Sequence, residues 1–199
     1  MNFRKLKTEE ELKVFQKGFF DNFQKRGGEA TSDIPIDYLQ RSKVTGVFNS
    51  KGKMVAGYVI GTRTPFRLLD FVPHDKRVKL IPPFHAKWSD CCEITCVWKT
   101  RGVSSVFMSA ILWPRVNLGV LFSKKRVLFG HDQNPKLDHF YTQGGPLTIY
   151  KGESSYGLPS RLFAFNRPRL VIGLFAVLFF ITPKRIIKQF VRRVQRIAG

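Results

Sequence analysis

The sequence predicts an α/β domain in which helices flank a mixed central β-sheet, followed by a helical C-terminal tail. Segments rich in β-branched and aromatic residues alternate with segments whose apolar residues recur every three to four positions, as strands and helices do in an α/β fold. The 199 residues are 43% hydrophobic and include 19 Phe, which suffices for one core. The balance of 34 Lys and Arg against 14 Asp and Glu gives a net charge of +20, which indicates an anionic partner and not a particular fold.

The first elements are predicted to be a short strand, a helix and a hairpin. Thr8 precedes three Glu residues, where negative charge stabilises a helix N-terminus, and apolar residues then recur at helical spacing up to the glycine pair 27–28. The β-rich runs 44–48 and 54–60 flank NSKG, a turn-forming sequence, and therefore predict a β-hairpin. We expect 67–72 to continue it as a further strand.

The next segments predict strand, loop, helix and strand. CCEITCVW, 91–98, has the composition of a buried strand. The apolar segment 106–122 is long enough for a helix, which Pro114 is expected to kink. RVLFG, 126–130, predicts the strand that follows this helix.

A short helix and a last strand complete the predicted domain. Asn134 is a favoured N-cap residue and Pro135 is favoured in the first turn, so we expect a helix over 134–143. The segment PLTIYKG, 146–152, has strand composition. The alternation of strands and helices predicts one sheet rather than two separate units.

The loop after the strand 91–98 is a candidate phosphate-binding site. A glycine-bearing turn that opens a helix leaves backbone N–H groups unpaired, and these groups bind phosphate together with the helix dipole. The basic side chains of the loop add positive charge. The candidate residues are Lys99, Arg101, Gly102, Val103 and Ser104. The alternative is that Gly102 serves only to form a turn.

Glu93 is a candidate general base because it is the single carboxylate on an apolar strand. Partial desolvation there would raise its pKa toward values useful in proton transfer. Alternation along a strand places Glu93 on one face with Cys91, Thr95 and Val97, and places on the other face Cys92, Ile94, Cys96 and Trp98. A structural, salt-bridged carboxylate is the alternative interpretation.

Cysteine and histidine usage predicts neither disulfides nor a metal site. The three Cys residues within 91–96 fit neither a disulfide framework nor a zinc spacing, and we expect them to pack as small apolar residues. A thioester-forming cysteine is the less favoured alternative. No metal-ligand spacing joins His74, His85, His131 and His139. The N-terminus lacks the apolar region of a secretory signal, so a cytoplasmic location is expected.

These motifs together resemble the GNAT superfamily of acyltransferases over residues 1–152. The family's phosphate loop reads Gln/Arg-x-x-Gly-x-Gly/Ala, and here Lys99-Thr-Arg-Gly102-Val-Ser104 occupies the same place. In the family an asparagine opens the fourth helix, a tyrosine follows seven residues later and a glycine comes shortly after. Asn134, Tyr141 and Gly144 have these spacings, and Gly145 stands where the family usually has Phe. The resemblance implies that Asn134 helps to bind the donor.

The resemblance implies transfer of an acyl group from acyl-CoA or an acyl carrier protein to an amine or, less favoured, a hydroxyl. It implies direct transfer in a ternary complex without a metal, with Glu93 taking the acceptor's proton and Tyr141 protonating the leaving thiolate. The strand around Glu93 is also similar to that of acyl-homoserine-lactone synthases, whose donors are acyl carrier proteins. Tyr141 as a packing residue is the alternative. The departures at Lys99, Ser104 and Gly145 leave a second candidate function, a non-catalytic GNAT-shaped adaptor.

The C-terminal tail is predicted to lie on a membrane surface. Composition changes after residue 152, so we predict a linker over 153–167 and a tail over 168–199. The run 170–181 has 12 apolar residues, whereas a spanning helix needs about 20. After it, apolar and basic residues take opposite sides of a helix, as in helices that bind anionic lipid.

This pattern predicts a peripheral protein on the inner face of a membrane. It disfavours nucleic acid as the partner, because the basic residues are interleaved with a strong apolar face and no nucleic-acid-reading motif is present. A helical hairpin packed within the same domain is the alternative interpretation of the tail.

Overall fold

The computed structural model describes residues 1–24, 34–132 and 145–176, together with 178, 179, 183 and 187. Within these residues one sheet contains seven strands, which are β1 Asn2–Lys5, β2 Lys43–Phe48, β3 Met54–Gly61, β4 Cys91–Lys99, β5 Val127–Asp132, β6 Leu147–Glu153 and β7 Pro159–Asn166. Their spatial order is β1-β2-β3-β4-β5-β7-β6. The β4–β5 pair is parallel and the other neighbours are antiparallel. The predicted mixed sheet is confirmed.

Helices cover both faces of this sheet. The α-helical segments are α1 Glu9–Gln24, α2 Ile36–Arg41, α3 His74–Arg77, α4 Ser105–Phe107, α5 Trp113–Leu121 and α6 Arg167–Ala176. A π-helical turn, Met108–Leu112, joins α4 to α5, so that the three form one continuous helix. This turn ends at Leu112, two residues before Pro114. Pro114 is the residue expected to kink the helix, because proline has no N–H to donate.

Local sequence signals explain the first elements. Thr8 and Glu11 form a capping box at the start of α1: the Thr8 hydroxyl accepts from the Glu11 N–H, and a Glu11 carboxylate oxygen accepts from the Thr8 N–H. In the hairpin turn between β2 and β3 the Asn49 side chain accepts two backbone N–H groups. Gly52 there has φ +71°, which favours glycine. The predicted helix and hairpin are confirmed.

The segment 67–72, expected to be a strand, is instead a 3₁₀ turn, Arg67–Phe71. The reason lies in where its backbone donors go. The N–H groups of Arg67 and Leu68 donate to the carboxylate of Glu93 rather than to a neighbouring strand. Leu68 and Phe71 are buried, so the turn packs as part of the core. A second 3₁₀ turn, Trp88–Asp90, leads into β4.

The linker predicted over 153–167 is wrong, because this segment contains β7. That strand lies between β5 and β6 and pairs with both. It buries Leu162, Phe163 and Ala164, a run of apolar residues that a change in overall composition does not reveal. The sheet therefore extends to Asn166.

The beginning of the predicted tail packs on the domain. Helix α6 follows β7 directly, and its Leu170 is 4% exposed in the cluster that contains Val116 of α5 and Leu128 of β5. On the opposite face of the sheet, α1 and α2 contribute Phe15 and Tyr38 to a second cluster. Among the described residues no helix combines the length and hydrophobicity needed to cross a bilayer.

Candidate functional site

A fork opens in the sheet where the parallel strands β4 and β5 separate. They pair from Cys91 opposite Val127 to Glu93 opposite Phe129, and the described residues contain no further pair although β4 continues to Lys99. Backbone groups on that side of β4 are thus available to a ligand, since polar backbone groups need partners. Ligands of open α/β sheets bind beyond the carboxyl ends of parallel strands. We call this opening the β4–β5 fork.

A β-bulge in β4 lies beside the fork. Val59 of β3 is opposite Thr95, but Gly57 is opposite Trp98, so two residues of β4 face a single residue of β3. Within the bulge Cys96 has φ +51°, an uncommon value for a residue other than glycine. The bulge shifts the alternation of side chains along the strand.

The predicted alternation beyond Thr95 is therefore wrong. Trp98 packs edge-on against Phe15 in the α1–α2 cluster, on the side where Tyr38 contacts Glu93. Val97 packs instead with the cluster beneath α5. The sequence predicts the opposite assignment for Val97 and Trp98, because strict alternation does not allow for the extra residue.

Glu93 is completely buried, with 0% exposure, and accepts three hydrogen bonds. Its Oε1 accepts the Tyr38 hydroxyl at 2.7 Å and the Arg67 N–H at 3.0 Å, and its Oε2 accepts the Leu68 N–H at 2.8 Å. Burial raises the pKa of this carboxyl, and the three donors and the positive charge of Arg67 oppose that rise. Glu93 thus ties the turn Arg67–Phe71 and helix α2 to β4.

Gly61 makes room for this carboxylate. A Cβ atom at that position would lie 2.7 Å from Glu93 Oε1 and 2.9 Å from the Tyr38 hydroxyl oxygen. Any side chain larger than hydrogen would displace one of these oxygens. Gly61 is therefore part of the site, because its lack of a side chain leaves space for the carboxylate and the hydroxyl.

His131 is a residue of the fork for which the sequence predicts no functional role. It is two positions beyond Phe129, the last β5 residue that pairs with β4, and it is partly exposed. Its ring stacks on Phe71 with centroids 4.2 Å apart, and its Nε2 lies 2.7 Å from Ser160 Oγ. Burial and the nearby charge of Arg67 lower the pKa of His131 to about 4, so its imidazole is neutral at physiological pH.

One sequence signal for His131 existed. In the sequence His131 directly follows the predicted strand 126–130. The carboxyl end of a strand in a parallel pair is where ligands of open α/β sheets bind. Tyr38 and Arg67 carry no such signal, because their contacts with Glu93 join residues 55 and 26 positions apart.

The predicted phosphate loop leads from the end of β4 into the continuous helix. Ser104 is the N-cap, and its hydroxyl accepts the Phe107 N–H at 3.0 Å. The space beside Gly102 is open, because a Cβ atom there would meet no atom within 4 Å. A ligand can therefore approach the backbone at Gly102 closely.

The other loop residues divide between inner and outer positions. Val103 is buried in the core, and its carbonyl accepts the Lys99 ammonium at 2.5 Å, so Lys99 holds the loop together. Arg101 is exposed and adds positive charge to the outer surface of the loop. The structure thus brings the five predicted loop residues together, with Gly102 and Arg101 on the accessible side.

Other predicted features fall outside the described residues or stay structural. Asn134, Tyr141 and Gly144 lie outside the residues that the structure describes.

Burial raises the pKa of Cys91 to about 11 and that of Cys92 to about 12, and also raises the pKa of Cys96. These thiols stay protonated and lack the thiolate that a nucleophile needs. In the described part of the chain no cluster of His, Cys, Asp or Glu is arranged to hold a metal ion.

The sheet, its fork and the loop-to-helix junction define the GNAT-like fold of acyltransferases. The structure of FeeM, an N-acyl amino acid synthase from uncultured soil microbes, matches with a TM-score of 0.66 and 17% identity, covering 90% of this chain and 99% of that chain. BjaI, a CoA-dependent acyl-homoserine lactone synthase solved with SAM and isopentyl-CoA, matches with a TM-score of 0.62 and 11% identity over 88% of each chain.

A third solved structure shares the same fold. A putative acetyltransferase from Acinetobacter baylyi ADP1 matches with a TM-score of 0.52 and 11% identity, covering 83% of this chain and 92% of that chain. No protein-family model and no curated protein matches the chain in sequence.

Proposed function

We propose that this protein is an acyltransferase that moves an acyl group from a thioester donor to an amine. The observation that carries the proposal is the pairing of the β4–β5 fork with an open, capped loop at the same end of β4. The loop offers a place for the donor's phosphates and the fork offers backbone partners for its pantetheine arm. Acyl-CoA is the favoured donor, since BjaI was solved with isopentyl-CoA; an acyl carrier protein is the alternative.

The proposed reaction is direct transfer in a ternary complex. The amine nitrogen attacks the thioester carbonyl carbon, the C–N bond forms, the C–S bond breaks and the thiolate leaves. We propose that Tyr141 protonates this thiolate, a role that rests on the resemblance of its spacing to the family motif. Holding both reactants in the fork supplies much of the rate gain, because it replaces a bimolecular encounter.

An amine is the favoured acceptor over a hydroxyl. FeeM is an N-acyl amino acid synthase and BjaI an acyl-homoserine lactone synthase. The sequence predicts Glu93 as the residue that takes the acceptor's proton. Because Glu93 has no exposed surface, that transfer would need a relay through Tyr38 or water that enters the site.

We propose further that the protein works at the cytoplasmic face of a membrane, with anionic lipid as a partner. Phe122, at the end of α5, and Phe179 are 80% and 63% exposed, and Ile172 and Phe175 of α6 are also exposed. Exposed apolar side chains, together with a basic tail sequence, suit a lipid surface with negative headgroups.

A non-catalytic adaptor at the membrane is the second candidate function. One observation favours it: the predicted base Glu93 is fully buried and its oxygens already accept three donors. An adaptor of this kind would bind lipid and a partner but release no CoA from a thioester.

Three measurements test these proposals. The full-length protein is first assayed for thermal stabilisation by CoA. It is then assayed for CoA release from a series of acyl-CoA donors, with each proteinogenic amino acid as the acceptor and with water alone as the control. We expect stabilisation by CoA and release that depends on an amine. Stabilisation by CoA without release would favour the adaptor, and the absence of both would overturn the donor site. Co-sedimentation with vesicles of neutral or anionic lipid tests the membrane proposal, which predicts binding that increases with anionic lipid.

A further inference from the structure

The part of the fork near His131 contains a base that can reach solvent, whereas Glu93 cannot. His131 is partly exposed and Glu93 is fully buried. Among the described residues, the His131 ring has one hydrogen-bond partner, Ser160 at Nε2, which leaves Nδ1 for another molecule. Of these two candidate bases, His131 is therefore the more accessible to a molecule in the fork.

A chain of contacts connects Glu93 to the position of this imidazole. Glu93 holds the N–H groups of Arg67 and Leu68 at the start of the 3₁₀ turn, and Phe71 ends that turn. The Phe71 ring then supports the His131 ring through parallel stacking at 4.2 Å. Glu93 thus holds the turn in position, and the turn, through Phe71, holds the ring of His131 in its orientation.

We infer that His131 is the group that takes the proton from the attacking amine, and that Glu93 is a positioning residue for it. This inference rests on the proposed acyl transfer. As the amine nitrogen forms its bond to the carbonyl carbon, its proton passes to Nδ1 of His131. The C–S bond breaks and the thiolate takes a proton from Tyr141, the proposed acid. The imidazolium then releases its proton to solvent, and Tyr141 regains one from solvent.

The charges around His131 are consistent with a base that stays neutral. Burial, together with the positive charge of Arg67 in the 3₁₀ turn, lowers the pKa of His131 to about 4. Asp132 follows His131 on β5, and Arg161 of β7 is opposite Asp132. Ser160, also on β7, bonds the ring at Nε2. This bond orients the imidazole so that its other nitrogen, Nδ1, can accept a proton.

The test uses two variants of His131 in the full-length protein. His131→Gln keeps an amide that can bond Ser160 but removes the base; we expect single-turnover CoA release from acyl-CoA to fall by roughly 10²- to 10⁴-fold, with thermal stabilisation by CoA unchanged. His131→Ala leaves space beside Phe71 for added imidazole. We expect imidazole to restore CoA release, and substituted imidazoles to restore it in the order of their basicity, which restored packing alone would not produce.

Controls separate this inference from the proposed function. His74→Gln, at an exposed position on α3, should leave CoA release unchanged. A wild-type protein that releases CoA while His131→Gln releases it equally fast would overturn the role of His131 and leave the acyltransferase proposal intact. Rescue that ignores the basicity of the added imidazole would also overturn it. A wild-type protein that binds CoA but never releases it from a thioester would overturn the proposed function and this inference together.

Discussion

The two sides of the β4–β5 fork are built in opposite ways. On the donor side the loop 99–104 exposes backbone at Gly102, where a Cβ atom would meet nothing within 4 Å. On the acceptor side Glu93 is enclosed by hydrogen bonds from Tyr38 and the turn Arg67–Phe71. The side where we propose that the donor's phosphates bind is thus open and should tolerate substitution. The proposed acceptor side is part of the core, so substitutions there should also change stability.

Replacement of Glu93 should have the largest effect. Glu93→Ala leaves one hydroxyl and two backbone N–H groups buried without an acceptor, which should lower the free energy of unfolding by about 3–5 kcal/mol. Urea unfolding measures this change. Glu153→Ala, at an exposed position on β6, is the control and should stay within about 0.5 kcal/mol of wild type.

Gly61→Ala checks the same region from the opposite direction. Its Cβ would press on Glu93 Oε1 at 2.7 Å, but the substitution removes no polar group of the site. We expect a loss of about 1–3 kcal/mol, the usual effect of overpacking. A loss below about 0.5 kcal/mol in Glu93→Ala would show that the acceptor side is not the rigid region described above.

The donor side should respond in binding and not in stability. Gly102→Asp places a carboxylate beside the donor phosphates, and we expect CoA affinity to fall by roughly 100-fold, since opposed like charges cost several kcal/mol. Gly102→Ala is the matched control, because its Cβ meets no protein atom. Melting temperature should change little in both. Equal affinity for CoA in wild type and Gly102→Asp would place the phosphates elsewhere.

The contrast also explains how much the sequence could predict. The turn at 99–104 that opens a helix was predictable because it depends on contiguous residues, whereas phosphate binding by this loop stays a prediction. The linker over 153–167 and the strand at 67–72 were wrong for a different reason. The pairing of β7 with β5 and the bonding of Arg67 to Glu93 join positions far apart in the chain, and local composition does not encode them.

The pH dependence of stability should report on His131. Its pKa is about 4 in the folded protein and near the ordinary value of 6.5 in the unfolded chain. Between these values the unfolded state binds more protons than the folded state, so the free energy of unfolding must fall as the pH falls from 6.5 to 4. Wild type should therefore lose more stability over this window than His131→Gln. Parallel curves for the two proteins would mean that folding does not lower the pKa of His131.

The smallest effect is expected from the shorter of two tail truncations, which together locate where the proposed donor side ends. Helix α6 packs on α5, the helix that continues from the phosphate loop, through the buried Leu170. Removing residues 167–199 takes away that side chain and should lower the free energy of unfolding by about 2–4 kcal/mol, as loss of a buried Leu does. Removing only 177–199 keeps α6, so stability and CoA binding should match wild type within about 0.5 kcal/mol. Binding to anionic vesicles should nevertheless decrease, because six of the tail's seven basic residues are lost. If the shorter truncation also weakens CoA binding, residues beyond α6 belong to the donor side and not to a separate membrane-binding segment.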